Sequence, residues 1–202
     1  GLLNYYFLSG NVNAKDALLE LADFVTASVD GPTDSIAILK KIARNTINWV
    51  KDRANKGDIK PYGLGEGPDR GSGNSLSVLL DAYIASKEER YLRKSEKLIR
   101  SCIHPHDNII ERHPHEINSR WSYTIFLQGL GKYLDIKTEM GEFDFMFSYA
   151  KETLTNYAKW MLENEKSILI FADKFDYPNY ATRVANDIRK AKIGRASCRE
   201  KG

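Results

Sequence analysis

Tyr5-Tyr-Phe-Leu-Ser-Gly-Asn11 and Tyr83-Ile-Ala-Ser-Lys-Glu-Glu-Arg-Tyr-Leu92 are two versions of one event. In each, an apolar helical pattern runs into a short polar turn and a second helical pattern opens beyond it. A shift of 77 residues places Leu2 and Leu3 on Leu79 and Leu80, Tyr6 on Tyr83, Leu21 on Leu98 and Val25 on Cys102. An internal repeat of this kind implies paired helices that cannot bury their apolar faces alone, so that stacking of pairs supplies the core.

Working outward, the periodicity is helical nearly throughout. Gly1 to Leu8 reads as the end of an apolar helix, with Gly10 in the stop position. Ala14 to Val29 reads as a second helix with Ala17, Leu18, Leu21, Phe24 and Val25 on its core face. A third follows Asp30-Gly-Pro-Thr33, with Ile38, Ile42, Ile47, Trp49 and Val50 as its stripe. A glycine-rich loop ends near Gly73. Further helices are expected from about Asn74 to Ser86, Glu88 to Cys102, Ile117 to Ile136 and Phe143 to Asn164, and a weak one over 181–191. Ser167 to Tyr180 reads both ways, extended or turn-like. The expected fold is all-α, about seven helices in stacked hairpins.

The last stretch, Ile193-Gly-Arg-Ala-Ser-Cys-Arg-Glu-Lys-Gly202, shows no helical period. It resembles a translated sequencing adapter as far as Glu200 and is read as non-native, so residues 1–191 form the domain and 192–202 a tail. The tail sets Arg195, Arg199 and Lys201 against Glu200, which accounts for +2 of the formal net charge of +3. Charge therefore gives no support to a nucleic-acid partner. Without Cys198, Cys102 stands alone and excludes a disulfide framework; at an apolar helix end it reads as core. No apolar run approaches the length of a membrane span, so no membrane partner is expected. The 42% hydrophobic and 11% aromatic content suits a packed core.

All four histidines fall within twelve residues, in the tetrads His104-Pro-His-Asp107 and His113-Pro-His-Glu116. Histidine exchanges protons near neutrality, and each proline stiffens the backbone that carries the rings. Three uses compete. His106 or His115 can act as a base, with Arg112 or Arg120 pairing a substrate carboxylate and Tyr123 protonating a leaving oxygen. The four rings with Asp107 or Glu116 can supply metal ligands. Or the imidazoles serve only as helix caps and carbonyl partners. No cofactor is otherwise expected.

Two neighbouring segments join this reading. Gly63-Leu-Gly-Glu-Gly-Pro-Asp-Arg-Gly-Ser-Gly-Asn74 enters a helix and suits an anion, and Glu66, Asp69, Arg70 and Asn74 suit sugar hydroxyls or a uronate. Its alternative is a plain connection with Ser72 or Asn74 as cap. It has neither the phosphate-loop lysine nor a preceding strand. Asn118-Ser-Arg-Trp-Ser-Tyr123 mixes polar groups with Trp121, whose face suits a sugar ring or the core. For a glycosidase, two carboxylates must face each other across a cleft; Glu66, Asp69, Asp107, Glu111 and Glu116 are candidates.

The two quoted segments resemble the hairpin pattern of α/α-toroid carbohydrate-active proteins, the six-hairpin glycosidases and the toroid domains of heparinase-like polysaccharide lyases. There an inner helix ends in a Tyr/Leu-Thr-Gly-Asp-type turn and Arg-Tyr-Leu opens the outer helix. The likeness covers most of residues 1–165 and departs at Ala85-Ser-Lys87, which stands where Thr-Gly-Asp is expected. It implies an incomplete α/α toroid acting on a polysaccharide or oligosaccharide. The residues favour β-elimination of an acidic polysaccharide, with a toroid hydrolase or a non-catalytic sugar-binding domain as alternatives. Gly1 to Leu8 is expected to show an apolar face that another hairpin would cover.

Overall fold

The computed structural model describes residues 1–30, 67–109, 121–167, 170 and 180–198. They form seven α-helices and no strand: α1 (Leu2–Ser9), α2 (Val12–Asp30), α3 (Arg70–Ser86), α4 (Glu89–Cys102), α5 (Ser122–Met140), α6 (Phe145–Asn164) and α7 (Tyr180–Ser197). The fold is all-α. No described helix is long and apolar enough to cross a membrane. The stretch expected as a helix with Ile38 to Val50 on its core face lies outside the described residues, as does most of 168–179.

The helices pair as antiparallel hairpins, and the turn of each follows from local chemistry. Gly10 closes α1 in the left-handed region (φ 67°), its N–H donating to Tyr6 O at 2.8 Å. Lys87 closes α3 in the same conformation (φ 61°), its N–H donating to Tyr83 O at 2.7 Å. The 77-residue repeat is therefore geometric as well as compositional: Tyr6 and Tyr83 accept the same bond, and a lysine takes the glycine position. Gly141 (φ 70°) ends α5 likewise. Asp144 then opens α6 by accepting from Phe147 N–H at 2.9 Å, a helix N-cap.

The hairpins stack. α3 packs on α2, α4 and α5, and α7 packs on α5 and α6, so that α3 and α5 form the centre. Their facing sides bury Leu76, Leu79, Leu80, Phe126, Leu127 and Leu130 completely. Burial of a side chain this size contributes about 1.5–3 kcal/mol over leaving it exposed. Glycine permits the close approach: a Cβ on Gly73 would lie 2.5 Å from the Phe126 nitrogen. Polar side chains link successive hairpins. Tyr91 on α4 donates to Asp23 on α2 at 3.0 Å, and Tyr133 on α5 donates to Glu96 on α4 at 2.8 Å. Lys137, only 2% exposed, is held by Glu142 and by Asp144 at 2.7 Å at the α5–α6 turn.

Three expectations are corrected. The core face of α2 is Ala14, Leu18, Ala22 and Val25; Leu21 and Phe24 are 42% and 69% exposed and Ala17 is exposed as well. Helix α3 starts at Arg70, not near Asn74, because Asp69 caps it. Helical order does not stop near 191. Ile193, seven residues beyond buried Asn186, is 2% exposed, and the Ala196 methyl lies 3.3 Å from where a Cβ on Gly131 would sit. Residues 192–197 thus continue the face that α7 turns to α5.

Candidate functional site

The entries of α3 and α5 lie side by side, since Gly73 faces Phe126 and Leu76 faces Gly129 along two helices running the same way. The α3 entry is a closed capping box. Asp69 Oδ1 accepts from Ser72 N–H at 2.7 Å, and Ser72 Oγ accepts from Asp69 N–H at 3.1 Å while donating to Gly67 O at 2.6 Å. The helix N-terminus that could have cradled an anion holds the protein's own carboxylate. Asp69 is the cap; Ser72 is its reciprocal partner and Asn74 has no capping part. Cys102, at the end of α4, adjoins this entry. Burial pushes its thiol up to about 11, which keeps it protonated and fits the core reading.

Arg70 and Trp121 come together at this end. Arg70 is exposed, with its guanidinium carbon 5.7 Å from the centre of the half-buried Trp121 ring. A cation over an indole face is worth about 0.5–1 kcal/mol at an exposed site. Asn74 is exposed one helical turn beyond Arg70. The pair joins a fixed charge and an aromatic surface from two hairpins.

Tyr123, two residues past Trp121, is 3% exposed. Its hydroxyl donates to Glu165 Oε1 at 2.8 Å, and Glu165 Oε2 lies 2.5 Å from the Lys190 ammonium. Burial and then the Glu165 charge hold the phenol far above the ordinary tyrosine range. Tyr123 is thus a neutral donor committed to Glu165. Beyond Glu165 a cleft of about 560 Å³ opens between α6 and α7, lined by apolar groups such as Ala158, Met161, Leu162 and Ala191.

The first histidine tetrad is a tight turn seated on α6. His104 N–H donates to Asp107 Oδ2 at 2.7 Å, and His106 N–H donates to His104 Nδ1 at 3.1 Å. An accepting Nδ1 places the proton of the neutral His104 ring on Nε2. Tyr149 donates to Ile103 O at 2.6 Å and Asn156 to Pro105 O at 2.5 Å, which fixes the backbone on both sides of His104. The two imidazoles are exposed, 5.4 Å apart, and the Tyr149 ring stands edge-on to His104 at 5.6 Å. Among the described residues no group of three His, Cys, Asp or Glu side chains is placed to hold a metal ion. Glu66, Arg112, His113, His115, Glu116 and Arg120 lie outside the described residues.

Glu165, Lys190, Tyr149 and Asn156 were not identifiable as site neighbours from sequence. Each acts across 24 residues or more, and none belongs to a local motif. No family model, curated protein or solved structure matches this chain.

Proposed function

We propose that the chain is part of an α/α-toroid carbohydrate-active enzyme that cleaves an acidic polysaccharide by β-elimination. The observation that carries this reading is the meeting of exposed Arg70 with Trp121 at the adjoining entries of α3 and α5, with exposed Asn74 one helical turn beyond Arg70. The stacked hairpins with their 77-residue spacing support the toroid part. In this proposal Trp121 offers a face to a sugar ring, and Arg70 or Asn74 binds uronate oxygens. Arg112 and Arg120 stand as further carboxylate partners. A rigidly seated exposed imidazole, His106, or its counterpart His115, removes the proton α to the carboxylate. Positive charge beside that carboxylate stabilises the enolate-like species that forms.

Tyr123 enters as the acid only if its hydroxyl leaves Glu165. That commitment favours a second reading, sugar binding without catalysis.

Mass spectrometry of products from a panel of acidic and neutral polysaccharides tests the proposal. β-Elimination gives fragments with an unsaturated end and no added water, lost on His106→Ala or His115→Ala. Products that have gained water make it a hydrolase. Binding with no product supports the second reading.

A further inference from the structure

In the turn His104-Pro-His-Asp107 every backbone N–H has a partner within the turn. Asp107 N–H donates to His104 O at 3.1 Å. His104 N–H donates to Asp107 Oδ2 at 2.7 Å, and His106 N–H donates to His104 Nδ1 at 3.1 Å. Pro105 has no N–H to place. Two of these bonds end on a carbonyl and a carboxylate; the third ends on an imidazole. An imidazole nitrogen accepts only while it carries no proton. The His104 ring is exposed, so water can deliver that proton without any helix opening. Tyr149 and Asn156 on α6 hold Ile103 O and Pro105 O by bonds that do not involve the His104 ring. They anchor the first half of the turn whatever the charge of that ring.

We infer that His104 is a proton-operated latch: its neutral ring closes the turn around His106, and proton uptake at Nδ1 opens it. A protonated ring sets one N–H donor against another, so it must turn away from His106 N–H. The closed turn and the added proton exclude each other, and only the open turn takes the proton up. Closure is therefore complete above the ordinary histidine range, near about 6.5, and is lost as pH falls through that range. Neighbouring charges bias the latch. Asp107 on the turn attracts the proton, as does Glu152, which lies between Tyr149 and Asn156 along α6. Arg100 in the last turn of α4 repels it, as does a protonated His106, whose ring is 5.4 Å away. The Tyr149 ring stands edge-on, its hydroxyl committed to Ile103 O. Attraction and repulsion move the pH of opening but do not return the acceptor. The latch acts on the turn itself and is independent of any substrate.

Nuclear magnetic resonance of the full, isotopically labelled chain tests this at about pH 8 and about pH 5.5, on either side of the histidine range. At the higher pH a coupling across the hydrogen bond should join the His106 amide nitrogen to His104 Nδ1; at the lower it should be gone. Exchange protection of the His106 amide, referred to the unstructured rate at each pH, should fall about three- to tenfold, the worth of one neutral hydrogen bond. Residues 110–120 follow the turn and lie outside the described residues, so the control removes only the titrating acceptor. His104→Asn keeps a side-chain acceptor for the N–H two residues on and has no proton to gain. Its His106 protection should be the same at both pH values, and that of His104→Ala should be low at both. His104→Asp, ionised at both, repeats the comparison if asparagine leaves the turn open. Absence of the coupling at the higher pH overturns the inference. So does a coupling that survives at the lower pH. So does a fall in protection that persists in His104→Asn, which would assign the proton to Asp107 or to a group within 110–120.

Discussion

Replacing Gly73 with alanine sets two effects of opposite sign against each other. Alanine is favoured over glycine in a helix interior by about 1 kcal/mol, so the change would stabilise α3 were space available. A Cβ at 73 would, however, lie 2.5 Å from Phe126 N and 2.8 Å from Ile125 C. These are backbone atoms, which no rotamer change can move. To restore contact near 3.5 Å the helices must part by about 1 Å, along the interface that buries Leu76 and Phe126. Overpacking of this kind costs about 1–3 kcal/mol, and the net expectation, after the gain of about 1 kcal/mol, is a loss of up to about 2 kcal/mol. Two other glycines serve as references. A Cβ at Gly129 meets the Leu76 side chain, 2.9 Å from Cδ2 and 3.1 Å from Cγ, and no backbone, and one at Gly194 meets nothing within 4 Å. Gly129→Ala should be near neutral, and Gly194→Ala should stabilise by about 0.5–1 kcal/mol. At about 2–4 °C per kcal/mol for a chain this long, thermal unfolding followed by circular dichroism separates the three. A Gly73→Ala protein melting at or above wild type would refute the close-approach argument. A loss at Gly194 would refute the continuation of α7 beyond 191.

Other perturbations follow from single contacts. Lys87 holds a left-handed conformation that costs a side chain about 1–2 kcal/mol, so Lys87→Gly should raise the urea midpoint, a gain of about 1 kcal/mol; Gly10→Ala at the equivalent position should lower it. Burial opposes the charge on Asp144, but Lys137 and the Phe147 N–H outweigh it and hold the carboxyl below its ordinary range. A folded pKa below the unfolded one gives stability that is present above the unfolded value, about 3.9, and lost as pH falls through the folded one. Asp144→Asn, which keeps a capping residue, should therefore flatten the acid limb of the stability profile; parallel curves for the two proteins would contradict this. Asn156→Ala leaves Pro105 O without its donor and should cost about 0.5–1.5 kcal/mol, seen as faster proteolysis at the histidine turn. Tyr123→Phe removes the donor to Glu165 and should destabilise by about 1–2 kcal/mol. If Tyr123 also serves as acid, product formation falls far more than that stability loss explains.

The hairpin repeat was legible because it is written in local bonds. A left-handed residue donating to a tyrosine carbonyl four residues back needs only the pattern around Gly10 and Lys87. The buried face of α2 was not legible. Leu18 with Val25 and Leu21 with Phe24 form two apolar stripes on one helix, and only the position of α3 decides which is core. The start of α3 was obscured for a related reason. Gly71 and Gly73 read as loop, whereas Gly73 is helical and glycine because Phe126 approaches from a segment more than fifty residues away. Likewise Arg70 meets Trp121 across 51 positions, and nothing in either local motif announces the pairing.

The same tertiary information reweighs the site. Tyr91–Asp23 and Tyr133–Glu96 each join one hairpin to the next through a buried phenol that donates to a carboxylate. Burial and Asp23 push the Tyr91 phenol up to about 12, and Tyr133 is displaced the same way. Tyr123–Glu165 repeats this device between the start of α5 and the end of α6, with Lys190 extending it to α7. A tyrosine is therefore a routine structural tie in this chain, and a raised phenol is no mark of catalysis by itself. What sets the α3–α5 entry apart is exposure: Arg70 lies in solvent beside Trp121, and the His104 and His106 rings are held in solvent by hydrogen bonds that engage the backbone of their turn. If the proposed function holds, chemistry on a large polymer needs groups that are both fixed and reachable, and these side chains meet that condition where Tyr123 meets only half of it.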